Sequence, residues 1–166
     1  VTFLIIICTY ASAEQKLAYL DLKFVLNNSK AGKEAQDYLQ GFLKQSQKEF
    51  IDREKELKKQ EKDLLTNKDK MTKEEYQKKT DELRKKVGDY QKSRRTTLDK
   101  IAQQRADARK RLIENVNPIL NTLIKENSIS LVIDKNIILG ASGVELDITN
   151  TIVERLNKSL PSLNLK

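Results

Sequence analysis

The chain has 166 residues, a formal net charge of +8 and no histidine, with 34% charged and 5% aromatic residues. That length fits one ordinary domain, but so polar a composition, with only 5 Gly and 2 Pro, points to long solvated helices more than to a packed globule. The lone cysteine is Cys8, and no Gly-rich phosphate loop occurs, so thiol, metal and nucleotide chemistry are not expected.

Residues 1–13 carry no charge, run apolar from Phe3 to Cys8 and close on Ala11-Ser12-Ala13. The small-x-small ending is what a signal peptidase needs, so the segment reads as a secretory signal peptide; it lacks a basic region and an initiating Met, as expected if it is truncated at its start or begun at a non-standard codon. Ile7 before Cys8 opposes a lipoprotein signal. Cleavage would leave a thiol-free chain from Glu14, suited to an oxidising compartment. No later apolar run reaches the roughly 20 residues that a spanning helix needs.

Residues 14–29 read as a strand and turn, because Leu17 to Leu26 alternates and is rich in β-formers. Asn27-Asn28-Ser29 then offers cap oxygens to a helix. Between Lys30 and Glu114 there are 25 Lys/Arg against 17 Asp/Glu, a surplus equal to the whole net charge. Leu43, Phe50, Leu57 and Leu64 recur every seven residues and so form one stripe of a long helix. The stripe ends near Thr66. Thr72-Lys-Glu-Glu75 is a capping box flanked by Met71 and Tyr76 at staple positions, which predicts a reversal into a second helix with its tip near 66–72. That helix, with a stripe from Tyr76 through Leu83, Val87, Tyr90, Leu98, Ile101 and Ala108 to Val116, is expected to run to about Lys125 with a kink at Pro118.

Residues 30–126 thus form a long antiparallel hairpin arm, about 55 Å along the first helix and about 75 Å along the second. In 127–166, Ile129–Asp134 and Ile137–Ala141 read as a tight β-hairpin across Lys135-Asn136, followed by a turn at Ser142-Gly143 and a final helix capped by Asp147. Three short strands do not make a stable sheet alone, so self-association through Leu17, Tyr19, Leu131, Ile133, Ile137, Leu139, Ile152 and Leu156 is expected.

Lys16-Leu-Ala-Tyr-Leu-Asp21, Ser29-Lys-Ala-Gly-Lys-Glu-Ala35, Ile129-Ser-Leu-Val-Ile-Asp134 and Asp147-Ile-Thr149, set around a charged hairpin behind a leader, resemble the Skp (OmpH-like) family of periplasmic chaperones. The resemblance implies a mainly α fold with a small β body and long coiled-coil arms, assembled as a jellyfish-like homotrimer. It also implies an ATP-independent, non-enzymatic holdase, without cofactor, metal or catalytic residue, that keeps unfolded outer-membrane β-barrel proteins in a cavity between its arms.

An unfolded β-barrel protein exposes alternating apolar side chains and strand edges, so a holder needs apolar contact and a long-range field. Leu57, Leu64, Met71, Tyr76 and Leu83 are the apolar candidates, and Lys85, Lys86, Arg94, Arg95, Arg109, Lys110 and Arg111 the cationic ones. The same charges would suit anionic lipid or lipopolysaccharide. They would also suit nucleic acid, but a leader opposes that partner. A prefoldin-like chaperone has a similar hairpin and is the alternative if the first thirteen residues are retained.

Overall fold

The computed structural model describes residues 16–140 and 146–165. The expected leader and the Ser142-Gly143 turn lie outside them. The elements are strand β1 (Lys16–Leu20), helices α1 (Leu22–Asn28), α2 (Lys30–Thr66) and α3 (Lys73–Asn127), strand β2 (Ile129–Asp134), strand β3 (Leu146–Asp147) and helix α4 (Thr149–Ser159).

The turn expected after β1 is a helix instead. Leu20, Leu22, Phe24 and Leu26 alternate like a strand, but Asp21 Oδ1 accepts a hydrogen bond from the Phe24 amide at 2.7 Å and caps a helical turn. Leu22, Val25 and Leu26, at helical spacing, then meet the core. Ser29, fully buried, closes α1 and caps α2, accepting from the Gly32 amide at 3.2 Å. At Gly32 a Cβ would overlap the Leu26 carbonyl oxygen. Only glycine therefore lets α1 and α2 meet at so sharp a corner.

The arm is as the heptad spacing requires. α2 has 37 residues and α3 has 55, about 55 Å and about 82 Å long. They lie antiparallel, with Phe50 edge-on to Tyr90 at 6.3 Å and Lys86 Nζ donating to Gln60 Oε1 at 2.9 Å. The reversal uses a 3-10 turn at Lys68–Lys70 and then the complete capping box: Glu75 N donates to Thr72 Oγ1 at 3.2 Å, and Thr72 N to Glu75 Oε2 at 3.0 Å. Helix α3 continues through Pro118 and stops at Ser128, which takes a left-handed φ of 53°.

The predicted β-hairpin is not formed. Asp134 Oδ1 accepts from the Asn136 amide at 2.9 Å and turns Lys135–Ile137 into a 3-10 turn, so the chain leaves the sheet instead of reversing along it. Strand β2 pairs with β1 in parallel, Leu17 opposite Leu131 and Tyr19 opposite Ile133. Strand β3 joins the other side of β1, also parallel, giving the order β2-β1-β3. The whole arm is thus part of the crossover that parallel pairing of β1 and β2 demands. All three strands end beside an aspartate: Asp21 and Asp134 cap the turns that follow, whereas Asp147, expected to cap α4, accepts from the Thr149 amide at 2.9 Å in an Asx turn just before the helix, whose N-cap is Ile148.

The core lies between one sheet face, α1, α4 and the root of the arm. Ala18, Leu20 and Ile129 from the sheet meet Val25, Ala31, Ala35, Ala108, Leu112, Val116, Leu123, Ile152, Leu156 and Leu163.

Candidate functional site

Two surfaces stand out, one on the arm and one on the body. On the arm, the heptad stripe is narrower than the gap between the helices. Leu57 is buried, whereas Leu64, Tyr76, Leu83, Val87 and Tyr90 remain half-buried and Leu65 and Leu98 are 60% and 41% exposed. Together they floor an open groove of about 910 Å³ along one side of the hairpin. Lys58, Arg84, Arg94 and Arg95 stand on its rim, with Glu54, Glu61 and Asp99. Several of these charges are already engaged. Glu54 holds Lys58 at 2.7 Å, and the hydrogen bond and charge of Lys58 keep the Glu54 carboxyl below its ordinary range, with Arg94 adding to the effect against desolvation. Arg84 meets Asp81 at 3.3 Å, and Arg95 approaches Asp99 only at 3.9 Å. Such exposed pairs are worth little and leave the guanidinium groups ready to exchange partners.

Leu57, Leu64, Tyr76, Leu83, Arg94 and Arg95 are brought together in this groove. Met71 and Lys86 face a shallower depression with Gln60, Asp63 and Lys79, while Lys85 stands on the outside of α3 beside Lys78 and Glu82. Arg109, Lys110 and Arg111 lie at the arm root, far along α3 from the groove. Arg111 is committed elsewhere, its Nη1 donating to the Leu163 carbonyl oxygen at 2.8 Å. The groove also contains Val87, Tyr90 and Leu98, which the second-helix stripe included but the client-binding candidates did not, and Leu65, which lies outside both stripes. Tyr76, Leu83, Val87 and Tyr90 recur at spacings of seven, four and three as the stripe of the second helix, the signal in the sequence that places Val87 and Tyr90 in the groove.

On the body, the sheet face away from the core carries Leu17, 42% exposed, beside Leu131, 54% exposed, with half-buried Tyr19 and Ile133 next in register. Lys135 Nζ lies 5.3 Å from the centre of the Tyr19 ring and 3.1 Å from Asp147 Oδ2. Ile137 and Leu139 are 71% and 105% exposed. Ile152 and Leu156 belong to a different class from the expected one. Both are fully buried inside their own protomer, on the face of α4 that meets α1 and α3. They hold the body together and have no surface to offer a second copy.

Among the described residues no cluster of His, Cys, Asp and Glu could hold a metal ion, and no helix is long and apolar enough to cross a membrane. Among curated proteins, none matches the chain. A crystal structure of a putative outer membrane chaperone (OmpH-like) from Caulobacter crescentus has the same fold, with a TM-score of 0.82 at 17% identity over 98% of this chain and 96% of that one. The family model for outer membrane protein (OmpH-like) matches residues 16–156, from β1 into α4. With the arm and the body both inside that match, the chain belongs to the OmpH-like family.

Proposed function

We propose that this protein is an ATP-independent, non-enzymatic holdase chaperone of the periplasm, which keeps unfolded outer-membrane β-barrel proteins from aggregating on their way to the membrane. The observation that carries the reading is the arm groove, an apolar floor with a mixed-charge rim of slight cationic surplus, set on the hairpin beyond the root that joins the body core. A β-barrel chain in transit exposes every second side chain as apolar surface and keeps unpaired strand edges. Apolar contact along the groove shields the first, and the basic arm raises the capture rate of anionic clients. Beyond its root the arm can deform around clients of different size, because there its two helices share only a thin stripe.

Assembly as a homotrimer supplies the cavity. The apolar sheet face at Leu17 and Leu131, with Ile137 and Leu139, supports self-association, since an exposed apolar patch of this kind calls for a partner. The decisive measurement is light-scattering mass of the chain from Glu14, alone and after dilution of a urea-unfolded outer-membrane β-barrel protein into it without nucleotide. A mass near three protomers and a soluble complex, where the client alone precipitates, is the expected result. A monomer with precipitated client refutes the reading.

A further inference from the structure

Beyond Ser159 the chain turns back across the foot of the arm. Leu160 and Leu165 pack against the body core, and Leu163 lies within it at 1% exposure. Asn164 takes a left-handed φ of 49°, and its amide donates to Ser162 Oγ at 2.9 Å, which closes a tight turn around Leu163. Two further contacts tie this tail to both arm helices. Ser162 Oγ donates to Glu34 Oε1 on α2 at 2.8 Å, and Arg111 Nη1 on α3 donates to the Leu163 carbonyl oxygen at 2.8 Å.

We propose that Leu160–Leu165 is a clasp that sets the angle between arm and body, and that its release lets the arms splay and enlarges the space between them. The geometry is that of a lever. Glu34 and Arg111 sit where the hairpin leaves the body, and the tip at Thr66 is about 48 Å further along α2 at 1.5 Å per residue. A root tilt of about 10° therefore moves the tip by about 8 Å. The clasp is also the right kind of element to let go. It is a short segment outside any helix or strand ladder, held by one deeply buried side chain and hydrogen bonds that are at best partly buried, and such segments open well below the global stability. Arg111 is on this account a positioning residue, acting through the tail.

The test uses the full chain carrying Cys8→Ser, with one spin label on the exposed arm residue at Lys92→Cys and one on the exposed start of α4 at Asn150→Cys, diluted with unlabelled chain. Lys92 lies about 28 Å along α3 from Arg111, so the same tilt moves it by about 5 Å. Leu163→Ser and Arg111→Met are each expected to broaden the arm-to-body distance distribution by about that much, and Arg111→Lys, which keeps a cationic donor, to restore the narrow distribution. If Leu163→Ser loses its helical circular dichroism, Arg111→Met decides alone, because that side chain is not part of the core. A lowered Tm with an unchanged distribution would make the tail a simple filler of the core and overturn the proposal.

Discussion

Replacing Leu156 and Leu83 by alanine, one at a time, separates the two halves of this molecule. Leu156 is fully buried in the body, where α4 meets α1 and the arm root. Its truncation removes buried methylene and methyl groups and leaves a cavity, at a cost on the order of 3 kcal/mol. For a chain of this size that corresponds to a fall in Tm of roughly 6–12 °C at fixed protomer concentration. Leu83 is only half-buried, in the arm groove, so the same truncation loses about 1 kcal/mol of transfer free energy. That loss falls on a segment able to open without the body. Hydrogen exchange read by mass spectrometry, alongside thermal melts, distinguishes the two. Leu156→Ala is expected to raise exchange in the body and lower the main transition. Leu83→Ala is expected to raise exchange around residues 57–66 and 76–90 and leave β1, β2 and α4 protected. Equal falls in Tm, or unchanged arm exchange in Leu83→Ala, would refute the division into a rigid body and a compliant arm.

Thr72→Ala removes the capping-box hydroxyl at the arm tip, and a loss of about 1 kcal/mol should show as faster exchange of the first turn of α3 with no change in the mass of the assembly. For Asp147, burial pushes the carboxyl up, but hydrogen bonds from the Thr149 side chain and backbone and the nearby Lys135 ammonium outweigh it and hold the group below its ordinary value of 3.8. A depressed carboxylate contributes stability above its unfolded pKa and loses it as pH falls through the folded value. The wild-type melting temperature should therefore fall below about pH 4, and Asp147→Asn should melt lower at pH 7 with a shallower acid decline. An acid decline as steep as that of wild type would show that Asp147 does not carry it. Leu17→Asp together with Leu131→Asp puts two carboxylates side by side on the exposed sheet face. Light scattering is expected to report dissociation with α-helical content retained, and an unchanged mass would place the assembly surface elsewhere.

The arm was legible in the sequence and the body only in part, and the difference is physical. Helix periodicity, the capping box and the heptad at Leu43, Phe50, Leu57 and Leu64 are local signals, and a hairpin of two long helices needs little else. Strand partners are non-local. Ile129–Asp134 and Ile137–Ala141 look like two arms of a hairpin because adjacency in sequence is the usual guide to pairing. Here β2 instead finds β1 more than a hundred residues earlier, and only the Asp134 cap on Asn136, an Asx turn indistinguishable by composition from a hairpin turn, decides it. The same ambiguity hid α1, where Leu20, Leu22, Phe24 and Leu26 satisfy the period of two while Leu22, Val25 and Leu26 satisfy the helical one.

These misreadings share a cause that bears on function. Strand-ending aspartates recur at Asp21, Asp134 and Asp147, the first two capping the next helical turn and the third holding an Asx turn before α4, so each turns the chain out of the sheet. Among the described residues the sheet is short and wholly parallel, with β1 in the middle, and Leu17 and Leu131 are exposed on the face away from the core. A β-hairpin built from Ile137–Ala141 would have lengthened one edge and left Ile137 and Leu139 paired within the protomer. In the observed arrangement those two side chains are exposed, as are Leu17 and Leu131. Ile152 and Leu156 are spent inside the protomer, which gives the body a core of its own before any second copy arrives. On the proposed reading, each protomer would fold first and assemble afterwards, its body meeting neighbours through the sheet while its arm stays free to take up a client.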